Sequence, residues 1–257
     1  MKLDAAFFDL DGTIIIHPEK IILDSTVESI RKLKEKGVKI ICSTGRGITE
    51  IRRLELENIP FDYFITLNGQ LILDKYEKTI WENPFPDRHK EIIKNIFEKK
   101  NLPVMLVEKE RMYINYIDDI VKTVHYNIST PLPEIGEYDG ATLYQVIAYG
   151  EKEDVDALAA LVPDSKAVYW TSLGIDLIPS NGGKETGIKA LLDILSIDRK
   201  NTISFGDGDN DRSMLEYTQI GVAMANASDE VKKSADYVTL SCKEDGITAA
   251  LRHFQLI

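Results

Sequence analysis

Two aspartates separated by one residue are the strongest chemical signal in the sequence. Asp9 and Asp11 come at the end of the apolar run 5–10, and Gly12 follows them directly. A short unbroken apolar run is typical of a strand buried on both faces of a parallel sheet, and ligands bind beyond the carboxyl ends of such strands. Two carboxylates this close repel each other unless a cation or a proton intervenes. The pattern therefore indicates a cation or acid–base site, with a polar turn after a strand as the simpler alternative.

A second acidic segment, GDGDND at 206–211, also follows an apolar run. Its carboxylates can complete a cation site with Asp9, although Asp and Asn are also common in turns. An EF-hand loop is excluded because Arg212 stands where that loop needs Gly, and Thr218 stands at its twelfth position instead of Glu. A hard cation held by few carboxylates together with a substrate phosphate indicates Mg²⁺.

Two further segments have the groups needed to bind phosphate. Thr44, Gly45 and Arg46 follow an apolar run, so a hydroxyl and backbone N–H groups can contact phosphate oxygens there, unless they only cap a helix. Lys184 follows two glycines at the start of a helical pattern and can supply positive charge. Taken alone, it is more typical of a surface lysine.

The elements that must position these residues alternate between strand and helix at both ends of the chain. Predicted strands are 5–10, 38–42, 63–67, 202–205, 220–224 and 237–240, and predicted helices are 26–36 with a capping box at 25–28, 48–56, 184–195 and one near 212. The middle has α+β character, with a hairpin at 71–74 and 78–81, helices within 84–100 and at 151–161, and strands at 142–149 and 167–171. The pattern predicts an α/β, Rossmann-like doubly wound parallel-sheet core (1–80 and 181–257) interrupted by an inserted α+β cap domain (81–180).

Charge and composition exclude several classes of function. The 257 residues are 44% hydrophobic, which is ordinary for a packed protein, and carry a formal net charge of −11. This charge opposes binding to nucleic acid and to anionic membranes, and no apolar run is long enough for a membrane span. Two cysteines without a CxxC pattern suit a reducing cytoplasm, and Cys42 is predicted to be buried.

The four segments, in this order, resemble the haloacid dehalogenase-like (HAD) superfamily along the whole chain. The resemblance is carried by these residues: Asp9, Asp11, Thr44, Lys184 and Asp207 to Asp211. The large insertion looks like the α/β cap of the Cof-type sugar-phosphatase branch. Asn68-Gly69 and the segment 176–179, near the two ends of that insertion, look like the same branch.

The resemblance implies a role for each matched residue. Asp9 would attack phosphorus and become an aspartyl-phosphate, while Asp11 would act as general acid and then as general base. Mg²⁺ would be bound by the carboxylates of Asp9 and Asp207 and by the backbone carbonyl of Asp11. The phosphoryl oxygens would be bound by the Leu10 backbone, Thr44, Gly45, Lys184 and Asn210. Gly12, Arg46, Gly208 and Asp211 would support the site.

The predicted activity is hydrolysis of small organic phosphate esters, with sugar phosphates as the leading class and pyridoxal phosphate, flavin mononucleotide and nucleotides left open. A phosphomutase using the same intermediate is one alternative. A phospho-acceptor regulatory module is another, although the paired aspartates and the insertion disfavour it, and an inactive binding domain is disfavoured by the intact carboxylates. The oligomeric state stays open. The four histidines show no metal-ligand spacing. His17, shortly after Thr13, is close enough in sequence to approach the site, but a loop or surface residue is the favoured interpretation.

Overall fold

The computed structural model of the protein describes residues 2–128 and 130–257. These residues group into two compact units. The first comprises the described residues of Met1–Arg46 together with Glu50–Glu82 and Gly183–Ile257, and the second comprises Gly47–Thr49 and the described residues of Asn83–Gly182.

Strands and helices are distributed over both units. The strands are β1 Ala5–Phe8, β2 Lys39–Ser43, β3 Tyr63–Thr66, β4 Leu71–Asp74, β5 Thr79–Glu82, β6 Val104–Val107, β7 Met112–Ile114, β8 Glu134–Ile135, β9 Gln145–Tyr149, β10 Ser165–Thr171, β11 Gly174–Pro179, β12 Thr202–Gly206, β13 Ile220–Ala223 and β14 Tyr237–Val238. The helices are α1 Asp24–Glu35, α2 Ile48–Ile51, α3 Asp87–Lys99, α4 Asp119–Asn127, α5 Lys152–Ala159, α6 Lys184–Leu195, α7 Arg212–Tyr217, α8 Asp229–Lys233 and α9 Gly246–His253. Within these residues, no helix has the length and apolar character needed to cross a bilayer.

The first unit is built on a sheet with the strand order β14-β13-β12-β1-β2-β3-β4-β5. Neighbours are parallel from β14 to β3, and the hairpin β4–β5 extends the sheet in antiparallel fashion. Helices α6 and α7 pack on this sheet through Ile188, Leu191 and Met214, while α1 contacts β2 and α9. The predicted α/β architecture is confirmed.

The central strands β12, β1 and β2 end side by side. Phe8 is in register with Phe205 on one side and with Cys42 on the other, and all three side chains are fully buried. Because the strands are parallel and aligned, the residues that follow them meet at one edge of the sheet. The apolar strand residues therefore fix the positions of the polar residues that come next.

The second unit has its own six-stranded sheet in the order β10-β11-β9-β6-β7-β8, among the described residues. Neighbouring strands in this sheet pair in antiparallel fashion, except that β7 and β8 pair in parallel. Ile93 and Phe97 of α3 and Val155 and Leu158 of α5 are buried in the core cluster of this unit. The unit therefore has a hydrophobic core of its own.

Two sequence predictions about helix ends are wrong. Helix α1 begins at Asp24 without a side-chain cap, so Ser25 lies inside its first turn and does not start a capping box; its hydroxyl donates to Asp245 Oδ1 at 2.8 Å. Helix α2 ends at Ile51 and not at Leu56, because the N–H groups of the next turns bond to carbonyls three residues back, as Leu54 does to Ile51 at 3.0 Å.

Candidate active site

A buried lysine between two buried carboxylates forms the centre of the site. Lys184, the first residue of α6, is 1% exposed, and its Nζ lies 2.6 Å from Asp9 Oδ1 and 2.5 Å from Asp211 Oδ1. Burial alone would lower the pKa of Lys184, but Asp211 and Asp9 outweigh it and hold that pKa above its ordinary value. The side chain is therefore an ammonium ion, and the interpretation of Lys184 as a surface residue does not apply.

Three carboxylates cluster around this ammonium. Oxygens of Asp9, Asp207 and Asp211 all lie within 4.8 Å of one another. Burial and then the charge of Asp211 raise the pKa of Asp9 well above its usual range, and the same two causes raise the pKa of Asp207 to about 7. One ammonium does not balance three carboxylates, and an all-oxygen donor set suits a hard divalent cation. The residues present fit Mg²⁺.

Asp211 organises the loop that carries Asp207. Its Oδ2 accepts hydrogen bonds from the backbone N–H groups of Asp207 and Gly208, each at 2.9 Å, while its Oδ1 contacts Lys184. Asp211 is fully buried. This carboxylate therefore connects the segment after β12 to the start of α6.

The Asp207 carboxylate is oriented by the loop that follows β1. Asp207 Oδ1 accepts from the Thr13 hydroxyl at 3.0 Å, and its Oδ2 accepts from Asn226 Nδ2 at 3.0 Å. A Cβ atom on Gly12 would lie 2.2 Å from Asp207 Oδ2, and Gly12 has a left-handed φ of 77°. Only glycine satisfies both conditions. Asn226 was missed by the sequence analysis, although it follows a parallel strand, β13, at the same edge of the sheet.

Asp11 faces two donors. Arg46 Nε lies 2.6 Å from Asp11 Oδ2, and Arg46 Nη2 lies 2.7 Å from Asp11 Oδ1, a bidentate pair. His17 Nε2 is 2.7 Å from Asp11 Oδ1, so of the two sequence interpretations of His17 the less favoured one, an approach to the site from a loop, is correct. Burial opposes ionisation of Asp11, but the hydrogen bonds from His17 and Arg46 outweigh it and hold its pKa well below the usual range.

The remaining predicted residues lie in the same unit. Thr44 is buried, its N–H donates to Ile65 O at 2.9 Å, and its hydroxyl accepts from the N–H of Arg46 at 3.2 Å. The buried Leu10 accepts from Ile14 N–H at 2.9 Å through its carbonyl. Gly45 and Asn210 both approach the side chain of Asn68, a residue the sequence analysis noted without giving it a role.

Comparison with known proteins identifies the family. Residues 6–251 match the model of the haloacid dehalogenase-like hydrolase family. The Bacillus subtilis (strain 168) protein "Putative phosphatase YkrA" is 33% identical over 256 residues, covering 98% of this chain and 97% of that protein. The chain therefore belongs to the haloacid dehalogenase-like hydrolases, as the resemblance of its motifs predicted.

Solved structures agree with this assignment. A HAD subclass IIB sugar phosphatase is 30% identical and superposes with a TM-score of 0.87, covering 99% of this chain and 100% of that one. A HAD-superfamily phosphatase from Bacteroides thetaiotaomicron is 25% identical with a TM-score of 0.91, covering 100% of this chain and 96% of that one.

Proposed function

We propose that the protein is a Mg²⁺-dependent phosphatase that hydrolyses small organic phosphate monoesters, with sugar phosphates as the leading class. The observation that carries the proposal is the buried ammonium of Lys184 between Asp9 and Asp211, next to Asp207. The names of its relatives, phosphatases and a sugar phosphatase, support the reaction and the substrate class. We likewise propose that 1–80 and 181–257 form the catalytic core and that 81–180 form its cap.

Asp9 is the proposed nucleophile. In the first step its carboxylate oxygen forms a bond to phosphorus while the bond to the leaving oxygen breaks, and that oxygen takes a proton from Asp11. In the second step water attacks the aspartyl-phosphate, its proton passes to Asp11, and inorganic phosphate leaves with the Asp9 carboxylate restored. Lys184 is already next to Asp9 and offsets the negative charge of the phosphoryl group throughout.

Mg²⁺ would be bound by the carboxylates of Asp9 and Asp207 and by the backbone carbonyl of Asp11, with Asp211 in support. A bound ion would reduce the repulsion between the attacking carboxylate and a phosphate dianion. Thr13 and Asn226 donate to the two oxygens of the Asp207 carboxylate and would orient it for this ion.

Asp11 is held as a carboxylate, which is the form a general base needs. Its two partners, Arg46 and His17, donate to it directly. To donate a proton in the first step, Asp11 must lose its contacts with these two side chains. Arg46 and His17 therefore help to set the protonation state of Asp11. General acid–base assistance of this kind typically contributes about 10²–10⁴-fold to rate.

The phosphoryl oxygens would be bound by the Leu10 backbone, Thr44, Gly45, Lys184 and Asn210. These groups supply a hydroxyl, an ammonium, an amide and backbone N–H donors, as phosphate recognition needs. The net charge of −11 supports a small-molecule substrate over nucleic acid or membrane partners. Two buried free cysteines, Cys42 and Cys242, suit a reducing compartment, and we propose the cytoplasm.

The test compares two Asp→Asn variants in hydrolysis of an aryl phosphate and of a sugar-phosphate panel with Mg²⁺. Asp9→Asn should lose at least about 10³-fold in kcat while keeping its fold, on the scale of other nucleophile deletions. Asp209→Asn makes the same change at an exposed position of the acidic segment and should retain activity. Full activity of Asp9→Asn would refute the nucleophile assignment.

The same assay separates the alternatives. Isomerised sugar phosphate without released inorganic phosphate would identify a phosphomutase. Stable phosphorylation of Asp9 without turnover would identify a phospho-acceptor regulatory module.

A further inference from the structure

We propose that Asn68 is a positioning residue for phosphoryl binding and that it acts through the amide of Asn210. The inference rests on the proposed function, because it concerns the predicted phosphate-binding residues Thr44, Gly45 and Asn210. Asn68 lies where the segment after β2 meets the segment after β12, and it contacts both.

The backbone around Asn68 is attached to the segment after β2. Strand β3 ends at Thr66, and Leu67, Asn68 and Gly69 follow with left-handed φ angles of 54°, 54° and 91°. The N–H of Leu67 donates to Arg46 O at 3.1 Å, and the N–H of Asn68 donates to Thr44 O at 3.1 Å. Left-handed backbone is tolerated by Asn far better than by most residues. The turn therefore lies directly against the predicted phosphate-binding loop.

The side chain of Asn68 reaches the other segment. Asn68 is 1% exposed, and its Oδ1 accepts a hydrogen bond from Asn210 Nδ2 at 3.0 Å. An amide nitrogen carries two hydrogens. One of them is directed at Asn68, which leaves the second N–H of Asn210 free to donate to a phosphoryl oxygen. Without this acceptor the amide can turn over and present its own oxygen, which phosphate repels.

The contact with Gly45 shows how tightly the Asn68 amide fits. A Cβ atom on Gly45 would lie 3.1 Å from Asn68 Oδ1 and 3.3 Å from its Nδ2. The Asn68 amide thus fills the space between Gly45 and Asn210. It sets the separation of two segments that contribute phosphate ligands from opposite sides.

The experiment is a double-mutant cycle on binding of inorganic phosphate in the presence of Mg²⁺, measured by calorimetry, together with KM and kcat for an aryl phosphate. Asn68→Gly removes the amide and keeps a residue that accepts the left-handed φ. It should raise the phosphate Kd and KM about tenfold, as expected for one misdirected hydrogen bond, with a smaller change in kcat. Asn210→Ala should do the same.

The decisive variant combines Asn68→Gly with Asn210→Ala. If Asn68 acts through Asn210, the combined variant should bind phosphate no more weakly than Asn210→Ala alone. Independent, multiplying losses would show a merely structural role and overturn the inference. Asn58→Gly makes the same substitution at an exposed position and should leave the phosphate Kd unchanged.

Asn68→Asp covers the case in which the glycine variant does not fold. Aspartate keeps an acceptor for Asn210 and tolerates the left-handed turn, but it adds a negative charge next to the phosphoryl position and should weaken phosphate binding by more than tenfold. Because the acceptor is kept, adding Asn210→Ala to Asn68→Asp should weaken phosphate binding by about tenfold more, as in the wild-type background, and the absence of any further loss would overturn the inference. Wild-type protein that binds phosphate without hydrolysing esters would overturn the proposed function alone, and protein that does neither would overturn both.

Discussion

The two units of the molecule differ in where their ion pairs lie. In the first, Asp9, Asp211 and Lys184 are buried and in direct contact. In the second, ion pairs such as Lys122–Asp119 lie at the surface, and the buried polar side chains include the neutral amide of Asn115.

The neutral centre of the second unit serves the fold. Asn115 Oδ1 accepts from the N–H groups of Val104 and Tyr116, and its Nδ2 donates to the carbonyls of Phe97 and Leu102, at 2.8–3.1 Å. All four partners are backbone groups, so the side chain of Asn115 ties several chain segments together. In the charged centre of the first unit, by contrast, the carboxylates repel one another, and burial raises the free-energy cost of that repulsion. Buried charges in direct contact with one another thus mark the site in the first unit, while the buried amide of Asn115 supports the scaffold of the second.

The largest expected difference between the two units comes from a Lys→Met substitution made once in each. Lys184→Met leaves two buried carboxylates without their cation and should lower the free energy of unfolding by about 3–5 kcal/mol. Lys122→Met removes an exposed partner and should leave the urea midpoint unchanged. Equal losses in the two variants would contradict the distinction between the units.

Removing the buried amide should have an intermediate effect. Asn115→Ala removes the side chain that four backbone groups contact, and it should lower the free energy of unfolding by about 2–3 kcal/mol. Hydrogen exchange should report faster exchange at the amides of Val104 and Tyr116, which donate to Asn115. Unchanged protection at both amides would show that Asn115 does not serve the scaffold.

The smallest effect is a pH dependence of stability in metal-free buffer. The pKa values of Asp9 and Asp207 are raised, to about 7 for Asp207, so the folded state binds more protons than the unfolded state between about pH 4 and 7. The free energy of unfolding should therefore fall as pH rises through this window, by at most about 1.4 kcal/mol per pH unit for each proton. The lowered pKa values of Asp11, His89 and His125 act in the opposite direction, Asp11 below about pH 5 and the two histidines near their ordinary pKa, so the contribution of Asp207 is measured as the difference between wild type and Asp207→Asn.

Two controls sharpen the pH measurement. Saturating Mg²⁺ should flatten the slope if it binds the carboxylate cluster, and Asp207→Asn should reduce the slope without metal. An unchanged slope in Asp207→Asn would mean that the Asp207 carboxyl group is not stabilised in its protonated form.

Sequence reasoning located the elements that carry the site because their buried apolar runs are continuous. Helix α6 begins and ends at the predicted residues, and β2 and β12 lie within one residue of prediction. Each polar residue that follows such a run inherits its position from the strand. The cluster of Asp9, Asp207 and Asp211 was therefore predictable as a meeting of strand ends, and Lys184 joins it from the predicted start of α6.

Contacts between loops were not predictable in this way. His17 meets Asp11 through a chain segment that lacks a periodic pattern, whereas Asn226 follows the predicted strand 220–224 and could have been found by the same strand-end argument. In the second unit, β8 has two exposed residues at a sheet edge and gives no apolar signal. Helix α4, by contrast, has a readable start, because the Asp118 side chain accepts from the N–H of Val121 at 2.9 Å.

The contact between Asp9 and Lys184 also limits the order in which parts of the chain can fold during translation. The two residues are 175 positions apart in the chain. At about 5–20 residues per second, roughly 9–35 s separate the emergence of the carboxylate from that of its counter-ion. The whole of 83–182 is translated in that interval, so the nascent protein can complete an entire independent core before its most costly electrostatic pair can form.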